Sequence, residues 1–128
     1  MQRPPPSTGR YPGQAPIEAY GNGGFRFAGM SHKGSILCLP DAIQAWSVAT
    51  VEELDVASLA PILADPLAVD LVLIGTGAEH RWPAEAVRQA FRNAAIGIDV
   101  MSTGAAARTW NVLIAEGRPV AAALIAVD

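Results

Sequence analysis

The residues with the best claim to chemistry are Gly75-Thr76-Gly77 and, thirty residues on, Arg108 with Asn111. The glycines follow the run Asp70-Leu71-Val72-Leu73-Ile74, and glycines after a buried strand let backbone N–H groups approach an anion. A dinucleotide fingerprint would carry another glycine where His80 stands, and its helix would open at once instead of after Trp82-Pro83. A tight structural turn is the plainer reading. Arg108 and Asn111 share one face of a predicted helix at i, i+3. Arg108 lies about 7–8 Å into that helix and leans towards its N-terminus, within reach of the carboxyl edge where open α/β sheets hold ligands. A crevice lined by Gly75, Thr76, Gly77, Arg108 and Asn111 would therefore take a small anion or metabolite. The competing assignment pairs Arg108 with Asp99 or with a buried carbonyl, because a charge on so apolar a helix must be satisfied locally.

Other chemistries find less support. Ser102 lacks the glycine two positions earlier that a nucleophile elbow requires, and capping the next helix accounts for it. His32 and His80 are the only histidines. Neither has a second ligand at metal-binding spacing, so no metal site and no cofactor are expected. Asp99, Glu116 and His80 are the titratable groups an enzyme would have to use, and no catalytic residue is assigned. Trp82, in a loop directly before Pro83, is the aromatic expected to be partly exposed, and an exposed aromatic can anchor a protein partner. Packing over its own helix is the alternative.

The elements that would position these residues are legible from periodicity. Asp70–Ile74 reads as a strand covered on both faces. A helix opening at Pro83 and running to about Ala95 places Val87, Ala90, Phe91 and Ala94 on one face. Gly97–Met101 is the next strand, giving a right-handed βαβ unit. Ser102 caps a helix over residues 103–115 so apolar that burial nearly all round is expected, and Val120–Ala126 is a last buried strand of undetermined direction. Before this half, Tyr20-Gly21-Asn22-Gly23-Gly24 and Phe25-Arg26-Phe27 predict a hairpin. Residues 29–34 read as a polar turn, followed by strands over Ser35–Leu39 and Ala42–Val48. Asp55 caps a short helix to Ala64 that Pro61 must kink or split into two turns. Residues 1–16, with five prolines, read as a flexible arm. The expected fold is a compact three-layer α/β domain over 17–128: a mixed sheet, an N-terminal β-rich layer and a βαβαβ C-terminal half.

Of the 128 residues, 51% are apolar and 16% charged, the composition of one compact domain. The net charge of −3, with eight arginines and Lys33 scattered, disfavours nucleic acid and a basic membrane-binding face. Cys38 is the single cysteine, which excludes an intramolecular disulfide and fits a buried thiol in a reducing compartment. With no apolar run long enough for a bilayer, a cytoplasmic protein without direct membrane insertion is expected. So few charges on so small a domain predict an uncovered apolar patch, occupied by a protein partner or by a second copy in a homodimer.

Four stretches together resemble one small-domain family: Tyr20–Phe25, Leu71–Gly77, Gly97–Met101 and Arg108-Thr109-Trp110-Asn111-Val112-Leu113. That family contains uncharacterised bacterial and archaeal proteins and the mitochondrial assembly factor three of respiratory complex I. The similarity runs from about Ile17 to the C-terminus, with Trp110 where another aromatic, often tyrosine, is usual. It implies a three-layer α/β domain and a non-catalytic role beside a membrane-associated respiratory assembly intermediate, with location peripheral to the inner membrane through that partner. It supplies no catalytic residues.

Overall fold

The computed structural model describes residues 10–128. In chain order the strands are β1 (Arg10–Pro12), β2 (Ile17–Gly21), β3 (Gly24–Phe27), β4 (Met30–Lys33), β5 (Ser35–Cys38), β6 (Ala42–Trp46), β7 (Leu71–Gly75), β8 (Gly97–Met101) and β9 (Val120–Leu124). The helices are α1 (Ala60–Leu63), α2 (Glu85–Asn93) and α3 (Thr103–Ala115). Six strands form a mixed sheet in the order β1-β6-β5-β9-β7-β8, and β2-β3-β4 form a separate antiparallel sheet. The last strand runs parallel to β7 and antiparallel to β5.

Three layers result from the period-two alternation of the central strands. Val72, Ile74, Ala121 and Ala123 face a core completed by Leu59, Ile62, Val87 and Phe91, from the helical segment before β7 and from α2. Leu73, Val120, Ala122 and Leu124 face the opposite core, where Ala106, Ala107 and Trp110 of α3 meet Ile17, Phe25 and Phe27 of the small sheet. Strands covered on both faces carry no polar side chain, which is why β7 and β9 read as unbroken apolar runs. No helix among the described residues is long and apolar enough to cross a membrane.

Several local expectations hold. Asn22 and Gly23 turn the β2–β3 hairpin at positive φ (52° and 78°). The segment at Pro61 is two turns, a 3-10 turn over Ala57–Leu59 and then α1 with Pro61 in its first turn, where its missing N–H costs no ladder bond. Asp55 Oδ1 accepts from Ser58 N at 2.8 Å at the start of this segment. Ser102 caps α3, its Oγ accepting from Ala105 N.

Four expectations are corrected. The arm over 1–16 lies outside the described residues only for 1–9. Residues 10–12 are β1, paired antiparallel with β6. Composition underrated this segment because its partners are distant: Tyr11 packs edge-on to Phe27, Gly13 N donates to Asp41 O, and Ala15 O accepts from Trp110 Nε1. The turn expected over 29–34 is confined to Ala28-Gly29, and Met30–Lys33 is a strand on β3 whose polar exposed side chains suit a sheet edge. Helix α2 starts at Glu85 after Ala84, two residues beyond Pro83, and stops before Ala95, which has φ of 59°. Helix α3 is buried on one side only. Thr103, Gly104, Ala106, Ala107 and Trp110 are covered, while Arg108 and Val112, one turn apart, face solvent because nothing packs over the outer side of this layer.

Candidate functional site

The carboxyl edge of β7 and β8 is where the sequence places an anion, and the chain itself fills it. Gly75 is fully paired in the sheet and its O accepts from Ile125 N. A Cβ on Gly75 would stand 2.9 Å from Thr103 Cα, so glycine is needed for α3 to seat against the strand. Thr76 N donates to Met101 O at 2.9 Å and Gly77 N to Thr103 Oγ1 at 2.9 Å. The Thr103 hydroxyl in turn donates to Ile125 O at 2.6 Å, and Thr103 N donates to Gly77 O at 2.8 Å. Both amides that would cradle a ligand are thus spent on buried partners.

Asn111 is equally committed. Its Oδ1 accepts from Ile17 N at 2.7 Å and its Nδ2 donates to Ile17 O at 2.9 Å, so the amide completes β2 as a neighbouring strand would. Arg108, three residues earlier, is exposed and makes no ion pair or hydrogen bond among the described residues, with Asp99 or otherwise. The structure brings Gly75, Thr76 and Gly77 together around Thr103, and separates them in role from Arg108 and Asn111. Thr103 was missed because a threonine beside an N-cap serine carries no distinguishing signal.

Trp82 is 64% exposed and has two side chains against its ring. The His80 ring meets it edge-on at 4.8 Å, and the Arg88 guanidinium lies 5.5 Å from its ring centroid. The loop beneath is anchored. Thr76 Oγ1 donates to Glu79 O at 2.6 Å and accepts from Arg81 N at 3.0 Å, Arg81 pairs with Glu52, and Pro83 is buried. The Glu52 carboxyl is held below its usual range by a hydrogen bond from its own backbone and by Arg81. Arg88 also pairs with Glu85 at 2.9 Å, which keeps the guanidinium in place over the indole. A large exposed aromatic with an imidazole and a cation alongside is of the kind enriched at the centres of protein interfaces.

This three-layer α/β domain matches a known class. Residues 17–125 match the family described as protein of unknown function (DUF498/DUF598), and the chain belongs to that family. An uncharacterised protein of Rhodobacter capsulatus is 36% identical over 115 residues, covering 90% of this chain and 87% of that protein. The mouse NADH dehydrogenase [ubiquinone] 1 alpha subcomplex assembly factor 3 is 30% identical over 115 residues, covering 90% of this chain. The chain spans 62% of that mouse protein and 59% of its human counterpart. Among solved structures, an outer membrane protein from Bartonella henselae superposes with a TM-score of 0.89 at 47% identity, over 92% of this chain and 99% of that one. A Bordetella pertussis protein described as a Mth938-like domain gives 0.72 at 26% identity, over 88% and 85%.

Proposed function

We propose that this chain is a non-catalytic interaction module that assists the assembly of a membrane-bound respiratory complex, with Trp82 at the centre of its contact surface. The observation that carries the reading is the similarity to complex I assembly factor 3 over nine-tenths of this chain. The buttressed indole supports it, since side chains already fixed in the free protein lose less entropy on binding. The chain acts at the membrane through its client, in this reading, without inserting. A second copy seated on the same face is the alternative occupant.

The test is deletion of the gene and complementation with wild type or Trp82→Ala, reading assembled NADH:ubiquinone oxidoreductase in membranes and the proteins that co-purify with the tagged chain. Complex levels should fall on deletion, recover with the wild type and stay low with the variant. Light scattering on the purified protein separates a client from a homodimer. Unchanged complex levels together with no membrane-complex subunit among the co-purified proteins would overturn the reading.

A further inference from the structure

The loop that enters β7, at the opposite end of that strand from Trp82, carries a projecting leucine beside an apolar groove. Asp65-Pro66-Leu67-Ala68 is a tight turn closed by Ala68 N, which donates to Asp65 O at 3.1 Å. Aspartate at the first position and proline at the second suit such a turn, and none of its residues needs positive φ. Leucine at the third position serves no turn chemistry. Its side chain is 96% exposed, more than any other large apolar residue among the described residues. A surface leucine standing alone needs no explanation, but an apolar patch with a polar rim marks an interaction surface.

Leu67 does not stand alone. Both ends of its turn, Asp65 and Ala68, form one wall of an open groove of about 380 Å³ whose floor is Leu39, Ile62, Val69 and Ala121. Pro40 and Pro61, both exposed, extend the apolar surface around it. Arg10 of β1 and Gln44 of β6 form the other wall, set apart from the first because β5 and β9 lie between β6 and the chain entering β7. Gln44 Oε1 accepts from Arg10 Nε at 3.3 Å and holds the guanidinium at this wall. Its ion pair with Asp41 is long, at 3.8 Å, and exposed, a kind of pair that contributes little and is readily exchanged. Asp65 on the turn has no ion-pair partner among the described residues.

A knob and a hole side by side on one surface are self-complementary. A two-fold axis midway between them, at right angles to the line that joins them, sets each copy's Leu67 over the other copy's groove, so both contacts form together. The same rotation brings the second copy's turn, with its unpaired Asp65, alongside the wall that carries Arg10. We infer that the chain forms an isologous homodimer through this face, with Leu67 of each copy seated in the groove of the other and Asp65 facing Arg10. The occupant is a second copy because the chain itself supplies both halves of the fit and both signs of the charge pair. Trp82 stays free in this dimer, so the inference is independent of the client contact proposed above.

Sedimentation equilibrium of the full chain at low salt, from about 1 μM to about 1 mM, is the test, and a reversible monomer–dimer equilibrium with a micromolar dissociation constant is expected. Leu67→Ser should raise that constant about a hundredfold, because the two-fold removes two seated leucines at once. Trp82→Ala should leave it unchanged. Asp65→Arg and Arg10→Asp should each weaken self-association about tenfold by setting like charges against each other. An equimolar mixture of these two variants should associate as the wild type does, since every contact in the mixed dimer then joins opposite charges, a recovery that misfolding of either variant cannot produce. A wild type that stays monomeric across the range, a dimer that tolerates Leu67→Ser, a dimer lost on Trp82→Ala, or a mixture no stronger than either charge variant alone would overturn the inference.

Discussion

At the carboxyl edge a single hydroxyl joins three chain segments. Thr103 Oγ1 links the loop at Gly77 to the end of β9 at Ile125, inside a fully buried side chain. Thr103→Val keeps the shape and removes the hydroxyl, leaving Gly77 N and Ile125 O buried and unpaired, so urea denaturation should show a loss of about 2–4 kcal/mol. Thr103→Ser keeps both bonds and should lose about 1 kcal/mol for its methyl group. Arg108→Ala should stay within about 0.5 kcal/mol of wild type, because the guanidinium faces solvent. Cys38 is buried on β5, and burial pushes its thiol well above the ordinary range, so the thiolate that reacts is suppressed. Iodoacetamide should leave the native protein unmodified and label it only through its unfolded fraction, faster as urea raises that fraction.

The elements differ in how openly the sequence declares them. Strands β7 and β9 are legible because burial on both faces demands consecutive apolar residues, and α2 because its Val87–Phe91 stripe repeats at helical spacing. Strands β1 and β4 are not. The partner of β1 lies far along the chain, β4 closes a hairpin on β3 as its outer strand, and an edge strand is permitted the prolines and polar residues that elsewhere mark a turn. The candidate site divides the same way. Trp82 is legible as an exposed aromatic beside a proline, whereas the Thr103 hydroxyl clasp exists only once the loop at Gly77 and the end of β9 are brought beside α3. Asn111 is the instructive intermediate: its presence on α3 is readable, its use as a substitute strand edge for β2 is not. Asn111→Ala should raise hydrogen exchange across residues 17–27 before it affects β7, since the small sheet loses its clamp while the large sheet keeps every ladder bond. In β9, Ala122 fits between α3 and the small sheet with no exposed surface. Ala122→Leu should overpack that layer and lower stability by about 1–3 kcal/mol in urea.

For the whole molecule, the acidic surface is organised by a few shared arginines. Glu85 accepts a hydrogen bond from Arg92 and lies beside Arg88, and both hold its carboxyl below the usual range, as Arg81 helps to do for Glu52. A carboxylate with a depressed pKa adds stability that is present above its unfolded pKa and disappears as pH falls through the folded one. Melting temperature should therefore decline on acidification, less steeply in Glu85→Gln, and about 1 M salt should shrink the difference because these groups are exposed.

The order of the strands has a consequence for how the protein is made. Strand β9 alone joins β5 to β7, and so joins the β1-β6-β5 half of the large sheet to the β7-β8 half. It is also translated after the other eight described strands. Until those residues clear the ribosomal exit tunnel, β5 and β7, which are almost wholly buried in the finished domain, each have one open edge, and no partial product of synthesis can close the core. The two halves of the large sheet stay unjoined on the nascent chain until then, and the emergence of β9 lets the core close in one step.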